Sequence, residues 1–170
     1  MIDPSGPVRT GREPESEYPV YDHEARECVL NLYRAFVLAW PIFEGYFKRF
    51  GLSSGAFNVL MILRSAEEPL PPMTYGGSVM VTRSAITAIL TTLERRGFIH
   101  RETHPTDRRM FLIQITEQGR EHVAQMLPNL FRLEHEVFST LSLEEKQTLV
   151  QLLGKVEAHA QHLQDRGIGF

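Results

Sequence analysis

The sequence of 170 residues contains one cysteine, Cys28, and no run of about eighteen consecutive apolar residues. A single cysteine excludes an intramolecular disulfide and a cysteine-rich zinc site. Without a long apolar run we expect no transmembrane helix and no membrane partner. The amino-terminal residues contain no basic segment followed by an apolar core, so we expect no secretory signal. These absences predict a cytoplasmic protein.

Signs of catalysis are also missing. The sequence has no glycine-rich phosphate loop, no nucleophile elbow and no paired metal motif. His159 and His162 lie one helical turn apart, but a zinc site needs further ligands and groups that orient them. We therefore predict a protein that is not an enzyme and that holds no metal or cofactor, with these histidines solvated on a helix surface.

Positive charge is scarce overall and concentrated in one segment. The formal net charge is -3. Residues 82–109, which we call the basic segment, contain six arginines and three acidic residues, a net charge of +3, so the rest of the chain carries -6. A basic segment on an acidic body suits a protein that binds phosphate through one small surface, and a solvated charged face is the alternative.

The first third of the chain combines an arm with a helical pattern. Residues 1–20 contain four of the ten prolines and few apolar side chains, so we expect a flexible arm that cannot order itself. Beyond the arm, apolar residues recur at three- and four-residue steps and predict a broad, aromatic first helix that ends at Gly51. Ser53 or Ser54 can cap a second helix, and a short third segment follows at about residues 72–80.

The fourth predicted helix runs from about Thr82 to Gly97 and begins with small hydroxyl side chains and an arginine. Its apolar residues form one inward stripe: Ile86, Ile89, Leu90 and Leu93. A helix fits the major groove of B-form DNA, where hydroxyls contact phosphates or base edges and arginine can bind guanine through two hydrogen bonds. The segment Thr82–Thr87 therefore predicts a helix start that contacts DNA.

A hairpin follows the fourth helix. Two short strands, residues 98–102 and 110–115, flank a turn of polar and basic residues. Such a turn suits the minor groove, whose narrow and negative floor attracts arginine. Asp107 can pair with Arg109 or brace the turn, which leaves Arg108 or Arg109 to reach DNA.

Two helices close the chain. Thr116 can cap the first of them, and Ser142 with Glu145 fits the capping box that opens the last. The order is three helices, a fourth helix, a hairpin and two further helices. This order predicts a mostly helical α+β fold.

Five segments occur together in a recognisable order and spacing: Gly51–Ser53, Val81–Thr87, Leu93–Ile99, Asp107–Arg109 and Ile115–Arg120. They resemble, in turn, the opening of the second helix, the recognition helix, the start of the wing, the wing signature and the entry to the dimerisation helix of one family. That family is MarR, the multiple antibiotic resistance regulators. The resemblance covers roughly residues 25–157.

The resemblance implies a winged helix-turn-helix with amino- and carboxy-terminal dimerisation helices. The dimerisation helices would span residues 21–50 and 117–165, and the winged-helix domain would span residues 51–116. The protein would be a bacterial or archaeal transcription regulator, usually a repressor, that binds a palindromic operator as a homodimer. Its half-sites would lie about 10 base pairs apart, centre to centre.

The resemblance also implies roles for particular residues. The major-groove contacts would come from the start of the recognition helix: Thr82, Arg83, Ser84, Ala85 and Thr87. Arg108 and Arg109 would serve the wing, with Asp107 orienting it. Family members commonly bind amphipathic, often phenolic, effectors between the dimerisation helices and the DNA-binding lobe. The candidate pocket residues here are aromatic: Phe36, Trp40 and Phe57.

Two features leave alternatives open. Gly76 and Gly77 stand where the family usually has a leucine–alanine–acidic pattern, and each glycine costs about 1 kcal/mol relative to alanine inside a helix. A distorted third helix would favour the alternative of a winged-helix dimer that acts as a protein-interaction module without specific DNA recognition. Cys28 lies on the first helix near Tyr33, an arrangement that resembles the peroxide-sensing branch of the family. A lone cysteine on an apolar stripe, however, is more often a small buried hydrophobe.

Overall fold

The computed structural model describes residues 6–12, 18, 20–72, 83–104, 106 and 110–167, and for Arg83 and Ser84 it describes the backbone only. Within these residues the chain forms five helices and one antiparallel two-stranded sheet. The elements are α1 His23–Arg49, α2 Ser54–Ser65, α3 Arg83–Arg95, β1 Ile99–Thr103, β2 Phe111–Ile115, α4 Glu117–Val137 and α5 Leu143–Asp165. The mostly helical α+β fold is confirmed. The third helical segment of the sequence analysis, including Gly76 and Gly77, lies beyond Pro72 and outside the described residues.

The chain divides into two compact units, Met1–Met126 and Leu127–Phe170, and the boundary falls within α4. The first unit contains α1 to α3, the hairpin and the first turns of α4, while the second contains the rest of α4 and α5. The functional division into an arm, dimerisation helices and a winged-helix domain stays a prediction. No helix among the described residues combines the length and apolar character that a membrane crossing needs.

Side-chain caps fix the beginnings of the helices where the sequence predicted them. Ser53 caps α2 by accepting a hydrogen bond from the amide of Ala56. Ser142 and Glu145 form the predicted reciprocal capping box at α5. A cap of this kind stabilises a helix by about 1 kcal/mol. The hydroxyl of Thr116 accepts a hydrogen bond from the Gly119 amide, 3.0 Å away, and so caps α4 as predicted.

The core of the first unit forms because each of its elements has one apolar side. The side chains hidden almost completely come from α2, α3, both strands and α4: Val59, Leu60, Leu93, Ile99, Ile113, Val123 and Met126. Burying a large aliphatic side chain contributes about 1.5–3 kcal/mol, so this set accounts for much of the stability of the unit. α3 is therefore held by its apolar side, which leaves its opposite side to solvent.

Leu70, in the loop after α2, extends the two-stranded sheet. β1 and β2 pair with Ile99 opposite Ile115 and Arg101 opposite Ile113. On the other side of β2, Leu70 and Ile113 exchange two backbone hydrogen bonds of 2.9 and 2.8 Å. β2 is thus the central strand of the pairing, and the loop after α2 is fixed to it.

Gly119 allows the first turn of α4 to pack directly against the backbone of Phe98, which lies between α3 and β1. A Cβ atom at this position would lie 2.2 Å from the carbonyl oxygen of Phe98, which is closer than any real contact. The hydroxyl of Thr116 also donates a hydrogen bond to the carbonyl oxygen of Gly97 across 2.6 Å. These two contacts set the position of the hairpin relative to the first turn of α4.

The described part of the arm, residues 6–12, lies along α1. The side-chain amide of Asn31 accepts from the Val8 N–H at 2.7 Å and donates to the Val8 carbonyl at 2.9 Å. Glu27 accepts from the backbone N–H of Thr10 and from Arg9. These hydrogen bonds, chiefly the one from Thr10, lower the pKa of Glu27 below its usual value. The sequence predicts a flexible arm, and composition gives no sign of these contacts.

Candidate nucleic-acid interface

α3 has one buried and one exposed side. Ile86, Leu90 and Leu93 are buried and Ile89 is half-buried, as the sequence predicted. The exposed residues carry hydroxyls, methyl groups and charge: Thr87, Ala88, Thr91, Thr92, Glu94 and Arg95. We call these six residues the outer face of α3. Its small and polar side chains would let the helix backbone approach a groove closely.

The predicted DNA-contacting residues fall partly on this helix. Arg83 and Ser84 form its first turn, Ala85 is half-buried and Thr87 is exposed. Four of the predicted residues lie outside the described residues: Thr82, Asp107, Arg108 and Arg109. The structure therefore places the start of the predicted recognition helix at the amino end of α3, while the wing contacts stay predictions.

Two threonines of the outer face use their hydroxyl protons within the helix. Thr91 donates to the carbonyl oxygen of Thr87 and Thr92 to that of Ala88, both at 2.9 Å. Hydroxyls in this position commonly bond to the carbonyl one turn back. Thr91 and Thr92 therefore present methyl groups and hydrogen-bond acceptors, rather than donors, at the outer face.

Arg101 of β1 reaches across to α3. Its Nε atom lies 3.0 Å from a carboxylate oxygen of Glu94, and its guanidinium donates a longer hydrogen bond of 3.4 Å to the Thr91 hydroxyl. The Nε contact has the distance of an ion pair, although the N–H is not aligned well enough for a hydrogen bond. Arg101 lies two residues after Ile99 and therefore on the same side of β1, the side that faces α3. This period-two spacing is the sequence signal that could have revealed the contact between Arg101 and α3.

Arg96, just beyond α3, is also bound by the protein. Its guanidinium donates to the carbonyl oxygens of Gly51 and Phe50, and it lies 4.6 Å from the centre of the Phe98 ring. A positively charged group is favourable at these carbonyls because they end α1. Two of the six arginines of the basic segment are thus engaged by the protein itself, so its charge is not all available to a partner.

His122 of α4 packs beside the same helix end. Its ring stacks on Phe98 with centroids 4.4 Å apart, and Nε2 lies 3.2 Å from the Phe50 carbonyl oxygen. Burial, with a smaller contribution from Arg96, lowers the pKa of His122, while the hydrogen bond to Phe50 opposes this shift. The folded protein therefore favours the neutral form of this imidazole, which packs α4 against the end of α1.

Comparison with known proteins identifies the family. The MarR family model matches residues 52–111, which include α2, α3, β1 and the start of β2. The transcriptional repressor YetL of Bacillus subtilis is 34% identical over 138 residues, which are 81% of this chain and 83% of the relative. The chain belongs to the MarR family. The protein is accordingly a DNA-binding transcription regulator and not an enzyme, as the sequence predicts.

Solved MarR-family structures confirm the winged-helix fold. A mutant MarR of Escherichia coli in complex with operator DNA has a TM-score of 0.67 and 23% identity, covering 84% of this chain and 96% of that one. BpsR of Bordetella bronchiseptica, whose DNA binding is regulated by 6-hydroxynicotinic acid, has a TM-score of 0.68 and 25% identity. That match covers 74% of this chain and 89% of BpsR. β1 and β2 correspond to the wing expected of this fold.

In this MarR-family chain, α1 carries a row of aromatic residues, of which Phe36 and Trp40 are exposed and Phe43 is half-buried. The Phe36 and Trp40 rings stack 5.6 Å apart, and Phe43 lies 6.1 Å beyond Trp40. Phe57, the third predicted effector residue, is buried and stacks on Phe47 at 4.8 Å. Two of the three predicted residues are therefore neighbours, while the third belongs to the core, and the pocket stays a prediction.

Cys28 differs from the interpretation that the sequence favoured. Its position on the apolar side of the first helix suggested a small buried hydrophobe, but the side chain is exposed. Cys28 lies near the amino end of α1, whereas the buried residues Tyr46 and Phe47 lie near its carboxyl end. No cluster of three metal-ligating side chains occurs within the described ranges.

Proposed function

We propose that the protein binds a palindromic operator as a homodimer and represses transcription from it until a small effector releases it. The start of the recognition helix would enter the major groove through Thr82, Arg83, Ser84, Ala85 and Thr87. The tip of the wing would reach the adjacent minor groove through Arg108 and Arg109, held by Asp107. Two half-sites about one helical turn apart would match the two-fold symmetry of the dimer. Such a regulator would act in the cytoplasm of a bacterium or archaeon, because its DNA target is located there.

The observation that carries the proposal is the outer face of α3 beside the β1–β2 hairpin. Because the inner side of the helix is apolar and packed in the core, its outer face is turned to solvent. The side chains of Ala88, Thr91 and Thr92 are short, so they project little from the helix backbone on that face. A helix needs such a surface to approach base edges, and the hairpin lies at its carboxyl end. The Escherichia coli MarR mutant, a relative solved in complex with operator DNA, supports this assignment.

Exposed apolar faces support the homodimer. On α1 the side of Val29, Tyr33, Phe36 and Trp40 is open to solvent, and all four residues fall at helical three- and four-residue steps. On α5 four large apolar side chains are exposed as well, with Leu143 and Val150 on one side of the helix and Leu152 and Val156 on the other. Soluble monomers rarely leave contiguous apolar patches larger than a few hundred Å² uncovered. A second copy of the chain would cover these faces.

Effector control is supported by the aromatic row of α1. Stacked Phe36 and Trp40 offer a flat apolar surface of the kind that holds amphipathic or phenolic molecules. BpsR, a relative whose DNA binding responds to 6-hydroxynicotinic acid, is an example of such control. An effector would release the operator by binding better to a dimer whose two α3 helices cannot span both half-sites.

The test is binding of the purified protein to the intergenic DNA beside its own gene, in competition with nonspecific duplex. We expect tight binding that nonspecific DNA competes for poorly and that weakens steeply with salt, because phosphate contacts release counterions. Arg83→Ala should weaken operator binding by roughly tenfold, the usual cost of one specific arginine contact. Arg132→Ala, an exposed arginine on α4, is the matched control and should bind as tightly as the wild type. Equal, weak binding to both duplexes would contradict the proposal for this operator.

A further inference from the structure

Arg101 connects the wing to the outer face of α3 at two points. The ion pair with Glu94 holds the last turn of α3, and the hydrogen bond to Thr91 holds the turn before it. Thr91 in turn donates to the carbonyl oxygen of Thr87. A continuous chain of polar contacts therefore leads from β1 to the middle of α3.

The Thr91 hydroxyl uses its donor proton and one of its two acceptor positions in these contacts. Its proton points to the Thr87 carbonyl and its oxygen accepts from Arg101. A hydroxyl has one donor proton, so Thr91 has none left for a base acceptor. Thr91 is thus a supporting residue of the outer face rather than a donor to DNA.

Glu94 is the acidic residue of the outer face. An unpaired carboxylate there would repel the phosphates of a bound duplex, because like charges at a few ångströms are unfavourable at a partly desolvated surface. Arg101 places its positive charge 3.0 Å from that carboxylate. The pair therefore removes a repulsive charge from the surface that approaches DNA.

We propose that Arg101 is a positioning residue of the DNA-binding surface, which sets the wing against α3 and neutralises Glu94 without itself contacting DNA. This inference rests on the proposed function, in which α3 and the wing bind adjacent grooves. A free phosphate ligand would need an open guanidinium. The Arg101 side chain is only 28% exposed, and its Nε atom has less than 1 Å² of accessible surface. Its Nη2 atom donates to the Thr91 hydroxyl of α3.

Charge exchange provides the first test. Arg101→Glu places two carboxylates together and should weaken operator binding by roughly tenfold or more. The double variant Glu94→Arg with Arg101→Glu restores the pair in reverse and should recover affinity to within about threefold of the wild type. If the double variant binds as weakly as Arg101→Glu, Arg101 does not act through Glu94 and the proposal is wrong.

Salt dependence provides the second test. Glu94→Gln with Arg101→Gln removes both charges and leaves the net charge unchanged. If Arg101 only positions, the slope of log affinity against log salt stays as in the wild type, although affinity falls. If Arg101 binds a phosphate, the magnitude of that slope drops by about 0.9. A drop of that size would overturn the proposal.

Hydrogen exchange of the free protein separates this inference from the proposed function. We expect backbone amides of β1 and β2 to exchange faster in Arg101→Glu and to return towards wild-type rates in the charge-exchanged double variant. Failure of the wild type to bind its operator would contradict the proposed function, while this measurement would still decide whether Arg101 holds the wing. Identical exchange in all three proteins would overturn the positioning role.

Discussion

The hydroxyl of Tyr46 donates a hydrogen bond to the backbone carbonyl oxygen of Met126 across 2.6 Å, and so joins α1 to α4. Tyr46 is buried. Tyr46→Phe removes this donor without changing the packed ring, so we expect a loss of about 1 kcal/mol in the free energy of unfolding. Urea denaturation would measure it. Tyr18→Phe, at an exposed tyrosine outside the proposed dimer face, is the control and should leave stability unchanged.

The buried hydroxyl of Tyr46 should make the stability of the protein sensitive to high pH. Burial raises the pKa of Tyr46 above its usual value of 10.0. A group with a raised pKa in the folded state contributes stability below its unfolded pKa and loses it as pH rises through the folded value. Wild-type stability should therefore fall above about pH 10 more steeply than that of Tyr46→Phe. Parallel curves for the two proteins between pH 9 and pH 11 would contradict this.

His122 predicts a pH dependence in the opposite direction. Its pKa is lowered, chiefly by burial, so the folded protein favours the neutral ring. The contribution of His122 to the free energy of unfolding is present above the unfolded pKa of about 6.5. It is lost as the pH falls towards the pKa of the folded state. The thermal midpoint should fall between pH 7.5 and pH 5.5, and less so in His122→Gln. The control His100→Gln, at an exposed histidine of β1, should keep the wild-type slope. Equal slopes in both variants would remove His122 as the cause.

Two glycines should respond oppositely to alanine. Gly119→Ala puts a methyl group within 2.2 Å of the Phe98 carbonyl oxygen, and the contact is with backbone, so something must shift. We expect a loss of about 3 kcal/mol or more. Gly45 lies in α1, where an added methyl group would meet nothing within 4 Å, so Gly45→Ala should gain up to about 1 kcal/mol from helix propensity. Chemical denaturation would measure the free energy of unfolding of both variants. An unchanged value for Gly119→Ala would show that α4 can move away from the hairpin.

Much of this fold could be predicted from the sequence because its signals are local. Capping residues Ser53, Thr116 and Ser142 lie next to the apolar periodicity that they introduce, so the helix starts were predictable. The inward stripe of α3 was predictable for the same reason. A period of 3.6 residues needs no knowledge of the partner against which it packs.

The contacts of the arginines could not be predicted in this way. Arg96 and Arg101 both belong to the basic segment, yet Arg96 contacts carbonyl groups about forty-five residues earlier and Arg101 contacts Glu94 on the preceding helix. Charge composition does not distinguish an arginine that meets solvent from one that meets the protein. Phe57 shows the same limit, because an aromatic residue at a helical step can face either a pocket or the core.

The arm along α1 should be released by a single change. Asn31→Ala removes both hydrogen bonds to the backbone of Val8. We expect the Val8 amide to lose its protection from hydrogen exchange and trypsin to cleave faster after Arg9, since exchange and proteolysis both require an opened backbone. Glu24→Gln is the control, because Glu24 and Arg12 pair at 3.6 Å with both side chains largely exposed. Equal cleavage rates in Asn31→Ala and the wild type would mean that these bonds do not hold the arm.

The proposed dimer can be tested on two exposed apolar residues of α1 that lie on opposite sides of the helix. Phe36 is 56% exposed and Leu38 is 64% exposed, but two residues along a helix turn the side chain by about 200°. Phe36 shares a side with Val29 and Trp40, whereas Leu38 shares the side of Asn31 and Arg34, where the arm lies. Phe36→Glu should therefore bury an unpaired charge in the dimer and dissociate it, while Leu38→Glu should not. Sedimentation velocity at micromolar concentration distinguishes them. Dissociation by Leu38→Glu alone would place the interface on the arm side of α1.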